Sequence, residues 1–118
     1  MPGPADTSDQ ALKEAVSEVV ARLYLDKFGK GPLSAETFVN GDIITTVMHD
    51  VFTAAEQALI DAGHSDNVLS TRMLWQQATD AAFKAAVGEV VGRPVQTVVS
   101  GYELTDGVAT EVFVMAPG

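Results

Sequence analysis

The chain contains no cysteine, few basic residues and no long apolar run, and each absence excludes a class of protein. Without cysteine, disulfide bonds, thiolate metal sites and cysteine nucleophiles are excluded. The 7 basic residues are outnumbered by 16 acidic ones, which gives a formal net charge of −9. Because this charge repels phosphate backbones and anionic lipid, we expect no nucleic-acid partner. No apolar run approaches the roughly 20 residues of a membrane-spanning helix, so we expect no direct membrane insertion.

The N-terminal stretch, MPGPADTSDQ, also lacks the basic and apolar regions of a signal peptide. We interpret residues 1–8 as a disordered tail and residues 9–118 as one domain, with a cytoplasmic location expected. The 118 residues are 47% apolar, a large share for a domain with little deep interior. We therefore expect apolar surface to be buried against a partner, and a homo-oligomer is the predicted form.

Hydrophobic periodicity predicts three helices, over residues 9–28, 54–62 and 67–91. Thr7 with Gln10 and Thr53 with Glu56 have the spacing of capping boxes, which satisfy free backbone donors at a helix start. These pairs predict where the first and second helices begin.

The third helix is predicted to be long and to carry a broad apolar stripe. Either Ser65 or Asp66 is expected to cap its start, and Gly92 with Pro94 is expected to end it. The residues assigned to the stripe are Val68, Leu69, Met73, Leu74, Ala78, Ala81, Ala82, Ala85 and Val90.

Two β-hairpins are predicted, one after the first helix and one at the C-terminal end. In FVNGDI, residues 38–43, Asn40-Gly41 fits a type I′ turn, which would pair Phe38 with Ile43. The second hairpin is expected around Asp106-Gly107. The sequence thus predicts an α+β fold in the order α-ββ-α-α-ββ. Its four-stranded, mainly antiparallel sheet of two hairpins should carry helices on one face.

Catalytic and metal chemistry finds little support in the sequence. The two histidines, His49 and His64, each lie near an aspartate, but neither has a recognised ligand spacing. A triad of Ser65, His64 and Asp50 is disfavoured because adjacent side chains on an extended chain point apart. We expect no metal, no cofactor and no catalytic residue, and we assign the histidines to loops or caps.

Five residues are candidates for ligand binding. In GKGP, residues 29–32, two glycines around Lys30 could form an anion-binding nest, although a helix stop is the favoured interpretation. Trp75 is interpreted first as a core or oligomer contact and second as a ligand platform. A pocket between sheet and helices would be lined by Phe38, Trp75, Tyr102 and Phe113.

The stretch YLDKFGKGPLSAETFVNGDIITTVMHDVFTAAEQAL resembles the MpsC-like domain family. The Gly-basic-Gly-Pro turn at residues 29–32 matches the end of a family helix. The helix start at Phe52, Thr53 and Glu56 is similar to the Leu-Thr-x-x-Glu start that follows the family's first hairpin. A V-x-x-V-V-S strand comes later in both.

The resemblance extends from about Leu12 to Met115. It implies an accessory role near a bacterial membrane complex, in a sodium-linked membrane-potential generating system related to inorganic carbon uptake. It transfers no family chemistry. Gly101 and Glu103 stand where family members often have a His and an Asp, so a site using that His would be absent.

Three functional hypotheses follow, in order of preference. The first is a non-enzymatic accessory or regulatory interaction module, homo-oligomeric, with a membrane-associated protein as a further partner. The second is a small-molecule-binding domain with a pocket between sheet and helices. The third is an enzyme.

Overall fold

The computed structural model describes residues 4–117, with side chains from residue 9 onward. Within this range the chain forms three helices and four strands in the predicted order α-ββ-α-α-ββ. The elements are α1 (Pro4–Phe28), β1 (Ser34–Asn40), β2 (Ile43–His49), α2 (Ala54–Asp61), α3 (Ser65–Val91), β3 (Val95–Glu103) and β4 (Val108–Met115). The predicted α+β fold class is confirmed.

The four strands form one sheet in the order β1-β2-β4-β3, with every neighbouring pair antiparallel. The strand order, which the sequence pattern left open, places β2 and β4 at the centre. The first strand of the first hairpin and the first strand of the second hairpin are therefore the two edges.

The helices cover one face of the sheet, which we call the inner face, and the opposite face is called the outer face. Alternation along each strand separates the two. In β4, Ala109 and Phe113 are fully buried beneath the helices. On the outer face, Phe38 is 50% exposed and Val99 is 53% exposed. No helix covers the outer face within the described residues.

The first helix begins earlier than the sequence pattern predicts. Its first residue is Pro4, a residue favoured in the first turn because that turn leaves its backbone N–H groups unbonded. Thr7 therefore lies inside α1, and the prediction that it caps the helix was wrong. Residues 4–8 of the predicted tail are helical, and residues 1–3 lie outside the described residues. Gly29, with φ +80°, ends α1 as predicted.

The turn of the first hairpin lies one residue later than predicted, so the partner of each β1 residue on β2 differs by two positions from the predicted one. Gly41 and Asp42 are the central residues, so Asn40 lies opposite Ile43 and Phe38 lies opposite Thr45. Only Gly41 has a positive φ, +62°, as a type II′ turn requires. Contacts with distant residues hold this register, because the Asp42 carbonyl accepts a 2.8 Å bond from the backbone of β4. A shift of two keeps every side chain on its predicted face.

The buried side of α3 differs from the predicted apolar stripe. Met73 and Leu74 are exposed, whereas the buried residues are Val68, Arg72, Thr79, Phe83 and Val87. Hydropathy missed this side because it carries an arginine and a threonine. His64 occupies the N-cap position without a side-chain cap bond, so neither Ser65 nor Asp66 caps the helix.

The capping box at the start of α2 is confirmed. The Glu56 backbone N–H donates to Thr53 Oγ1 at 3.1 Å, and the Thr53 N–H donates to Glu56 Oε1 at 2.9 Å. Two backbone donors that α2 leaves unbonded are thereby satisfied.

Replacing this cap should weaken the domain measurably. We expect Thr53→Ala to lower the free energy of unfolding by about 1 kcal/mol, because a backbone donor loses its acceptor. Thr53→Ser is the matched control, since it keeps the hydroxyl and should retain most of the stability. Urea denaturation of the three proteins measures the difference, and equal losses in both variants would contradict the assignment.

Candidate functional site

A row of polar side chains crosses the inner face of the sheet, one from each strand. Thr37 lies opposite Thr46, Thr46 lies opposite Glu111, and Glu111 lies opposite Ser100. The Thr37 and Thr46 hydroxyls are 2.9 Å apart, and the Ser17 hydroxyl of α1 is 2.7 Å from Thr37 Oγ1. The neighbouring rows on this face are largely apolar. We call these four strand residues the polar row.

Glu111 is the charged member of the polar row and is almost fully buried. The Tyr24 hydroxyl donates to its Oε2 at 2.6 Å, and Ser100 Oγ donates to its Oε1. Burial raises the pKa of Glu111 to about 7, against the opposing effects of these two donors and of the Arg72 charge. A carboxyl group with this pKa changes its charge near neutral pH.

Two tyrosines share this buried region. Tyr24 of α1 is fully buried, and its pKa is raised by burial and by the neighbouring Glu111 charge. Burial and the same charge also raise the pKa of Tyr102 on β3. Both phenols therefore stay protonated at neutral pH. The Tyr24 hydroxyl can donate to Glu111 throughout the range in which that carboxyl titrates.

Arg72, at 1% exposure, is the second buried charge. Its Nε donates to Glu56 Oε2 at 2.7 Å and its Nη2 donates to Oε1 at 2.6 Å, a bidentate ion pair. Nη2 also donates to the Val51 carbonyl at 2.8 Å. Burial acts to raise the pKa of Glu56, but the bonds from Arg72 and Thr53 outweigh it and lower that pKa. The capping glutamate of α2 is thus also the counter-ion of α3.

Aromatic rings surround the Arg72 guanidinium. Its carbon lies 3.9 Å from the Phe28 ring centre and 5.2 Å from that of Phe52, with Tyr24 and Tyr102 at 5.9 and 6.0 Å. Arg72 Nη1 is buried and has no hydrogen-bond partner. Because aromatic faces attract cations, the rings compensate part of the missing bond.

The two carboxyl groups of this region differ in their pKa: burial raises the pKa of Glu111, whereas the bonds from Arg72 and Thr53 lower the pKa of Glu56. The hydroxyls of the row are bonded to one another or to Glu111, and Ser100 Oγ donates to the Glu111 carboxylate. In the part of the chain that the structure describes, no group of three His, Asp or Glu residues could hold a metal ion.

The sequence reasoning did not single out Glu111 or Arg72. A signal for each was available. Glu111 alternates with Ala109 and Phe113 along a strand, so it shares their buried face. Arg72 follows Val68 by one helical turn and therefore lies on the buried side of α3.

Lys30, the candidate residue of a possible anion-binding nest, lies at the connection between α1 and β1. Its Nζ donates to the carbonyls of Gly31 and Asp50, and it lies 3.5 Å from the Asp50 carboxylate. Asp50 has a φ of +57° at the end of β2. Lys30 thus ties two chain connections together. Its role in ligand binding stays a prediction.

The other four candidates for ligand binding are divided between the two faces of the sheet. Tyr102 and Phe113 lie on the inner face, where Phe113 is fully buried. Phe38 lies on the outer face. Trp75 lies on α3 with its ring centre 5.8 Å from that of Phe28, and it is 44% exposed. The structure therefore does not gather the four around one pocket, and their ligand binding stays a prediction.

Among the described side chains, the outer face and α3 each expose a group of neighbouring apolar residues. The outer face exposes Phe38, Ile43 and Val99. On α3, a strip formed by Leu74, Trp75 and Ala78 lines a shallow, largely apolar depression on the helical layer. We call the second surface the α3 strip.

A helical layer on one side of a four-stranded antiparallel sheet, with the other side open, defines a two-layer α+β domain. The chain belongs to the MpsC family, because the family model described as "Na+-translocating membrane potential-generating system (MpsC)" matches residues 8–117. The resemblance found in the sequence is confirmed. No curated protein and no solved structure matches significantly. Among residues 4–117, no helix has the length and apolar character needed to cross a membrane.

Glu111 should make stability depend on pH. Its pKa rises from 4.5 when unfolded to about 7 when folded, so folding takes up a proton between these values. Stability from this group is therefore complete below pH 4.5 and falls by about 3 kcal/mol as pH rises through 7. We expect Glu111→Gln to remove this slope in urea denaturation between pH 5 and 8. Glu89→Gln, an exposed control, should keep it, and an unchanged slope in Glu111→Gln would refute the assignment.

Breaking the Arg72–Glu56 ion pair should cost more than breaking a pair on the helix surface. Arg72→Met leaves the Glu56 carboxylate without its partner, and we expect a loss of about 3–5 kcal/mol in unfolding free energy. Lys84→Met is the control, because it breaks the partly exposed Lys84–Asp80 contact of 3.0 Å and should cost under about 0.5 kcal/mol. Thermal and urea denaturation compare the two variants. Similar small losses in both would show that Arg72 is not a structural centre.

Proposed function

We propose that this protein is a non-enzymatic accessory or regulatory module that binds other proteins, and that two copies associate through their outer faces. We further propose that it acts in the bacterial cytoplasm, beside a membrane-associated ion or inorganic-carbon uptake system. Membership of a family described by a Na+-translocating, membrane-potential generating system supports the second proposal.

The observation that carries the self-association is the uncovered outer face. Phe38, Ile43 and Val99 are about half exposed there, while the inner face of the same sheet is buried under two long helices. Apolar groups at this exposure are stabilised by removal from water, at about 25 cal/mol per Å² buried.

The distribution of charge on the outer face favours a second copy as its partner. The charged outer-face residues Glu36 and Glu103, together with His49, lie toward one end of the sheet. Two copies can therefore associate through the remaining rows without burying a carboxylate, although each chain carries a net charge of −9. These uncharged rows contain Phe38, Thr45, Val112 and Val99, and next to them Asn40, Ile43, Val114 and Thr97.

The α3 strip is the second apolar surface and lies on the helical layer. Leu74, one of its members, is 66% exposed. Because the strip and the outer face are on opposite sides of the domain, a dimer formed through the sheet leaves the strip free. We assign the strip to the membrane-associated protein partner.

Placing a charge on the outer face should dissociate the dimer. We expect Val99→Glu to give a monomeric mass by light scattering at micromolar concentration, because the dimer would bury two unpaired carboxylates. Leu74→Glu makes the same chemical change on the α3 strip and should keep the dimeric mass.

Three results of this comparison would contradict the proposal. A monomeric unmodified protein would exclude self-association. Dissociation by Leu74→Glu alone would move the interface to α3. A persistent Val99→Glu dimer would exclude the outer face.

A further inference from the structure

The edge of the sheet formed by β1 has unpaired backbone groups. The Met115 N–H of β4 donates to the Asp42 carbonyl at 2.8 Å. Because the backbone groups of successive strand residues point to opposite sides, the even-numbered residues of β2 bond to β4 and the odd-numbered ones bond to β1. By that alternation, the residues of β1 bonded to β2 are Ser34, Glu36, Phe38 and Asn40. The N–H and C=O groups of Ala35, Thr37 and Val39 therefore point away from the sheet, and β1 has no second strand partner in the described chain.

The two edges of the sheet differ in their protection against strand pairing. The β3 edge has a register irregularity between Val95 and Thr97. In contrast, β1 pairs with β2 in continuous register over its seven residues, SAETFVN. It contains neither proline nor lysine, residues that commonly blunt an edge. The β1 edge is thus the one suited to accept a further strand.

An acidic cleft of about 380 Å³ lies along this edge, between α1 and β1. Its α1 wall carries Glu14 and Glu18, both exposed, together with Gln10, Lys13 and Ser17. Lys13 is already paired with Asp9 at 3.1 Å. Side chains of an added strand that point toward α1 would enter this cleft, where the carboxylates favour cations.

We propose that the β1 edge binds an extended, basic segment of a partner protein as a fifth strand. Backbone bonds to Ala35, Thr37 and Val39 hold the segment, and its alternate Lys or Arg side chains meet Glu14 and Glu18. A second copy of β1 fits poorly because SAETFVN would bring a carboxylate and no cation. This binding is independent of the proposed contact between outer faces.

The test uses a seven-residue peptide, acetyl-Lys-Val-Lys-Thr-Lys-Val-Lys-amide, titrated into the full chain by calorimetry. We expect it to bind, and Glu18→Lys to weaken binding by roughly fivefold or more. Glu89→Lys, the same charge change on an exposed part of α3, is the control and should leave binding within about twofold.

A second variant tests the backbone bonds. Ala35→Pro removes an N–H that points out of the sheet, so the fold should survive by circular dichroism while peptide binding is lost. Light scattering should give the same mass for Ala35→Pro as for the unmodified protein.

Several outcomes would overturn the proposal. The first is equal binding of a peptide with Glu in place of every Lys. The second is an equal loss of binding from Glu89→Lys and Glu18→Lys, which would indicate attraction to net charge alone. A lower mass for Ala35→Pro would show that β1 pairs with a second copy of the chain. Failure of the peptide to bind, with dimerisation intact, would reject the edge site and leave the proposed function standing.

Discussion

The Arg72 guanidinium links parts of the chain that are distant in sequence. It forms an ion pair with the Glu56 carboxylate that caps α2, and its face packs against the Phe28 ring of α1. It also donates a hydrogen bond to the carbonyl of Val51, which follows β2 in the chain. Removing a guanidinium from water is costly, and the bidentate partner, the carbonyl and the aromatic rings offset that cost together. The placement of all three helices therefore depends on one buried cation.

Glu111 of β4 links α1 to the sheet through a hydrogen bond from Tyr24. Tyr24 reaches from α1 to its carboxylate, and Ser17 of the same helix contacts Thr37 at the other end of the polar row. These bonds are directional, unlike apolar packing, so they fix how α1 crosses the strands. The side chains of the inner face are consequently used for contacts within the domain. The outer face, the β1 edge and the α3 strip lie outside these contacts and are the surfaces that we propose for partners.

The predictions that were correct concern features determined by residues close together in the sequence. The Thr53–Glu56 box, the Gly29 stop and the period-two strands each depend on neighbours in the chain, and each was found as predicted. The hairpin register was wrong because Asn40-Gly41 and Gly41-Asp42 are both acceptable turns, and a backbone bond from Met115 selects the second.

The candidate site was harder to predict, because its residues violate the hydrophobic pattern. Arg72 and Glu111 lie at positions where periodicity expects apolar side chains, and their partners come from distant elements. The α3 stripe was accordingly assigned to Met73 and Leu74, which are exposed. Burial of a charge can be inferred only when a compensating partner is known, and a single sequence does not show which partner will be near.

We propose that the helical face stabilises the domain while the outer face binds a second copy. Cross-saturation NMR tests it most directly, in a mixture of deuterated and protonated chains. We expect attenuated amide signals along the uncharged rows of the outer face, at Thr45, Val99 and Val112. Attenuation confined to the α3 strip, or none at concentrations where a dimer would form, would contradict it.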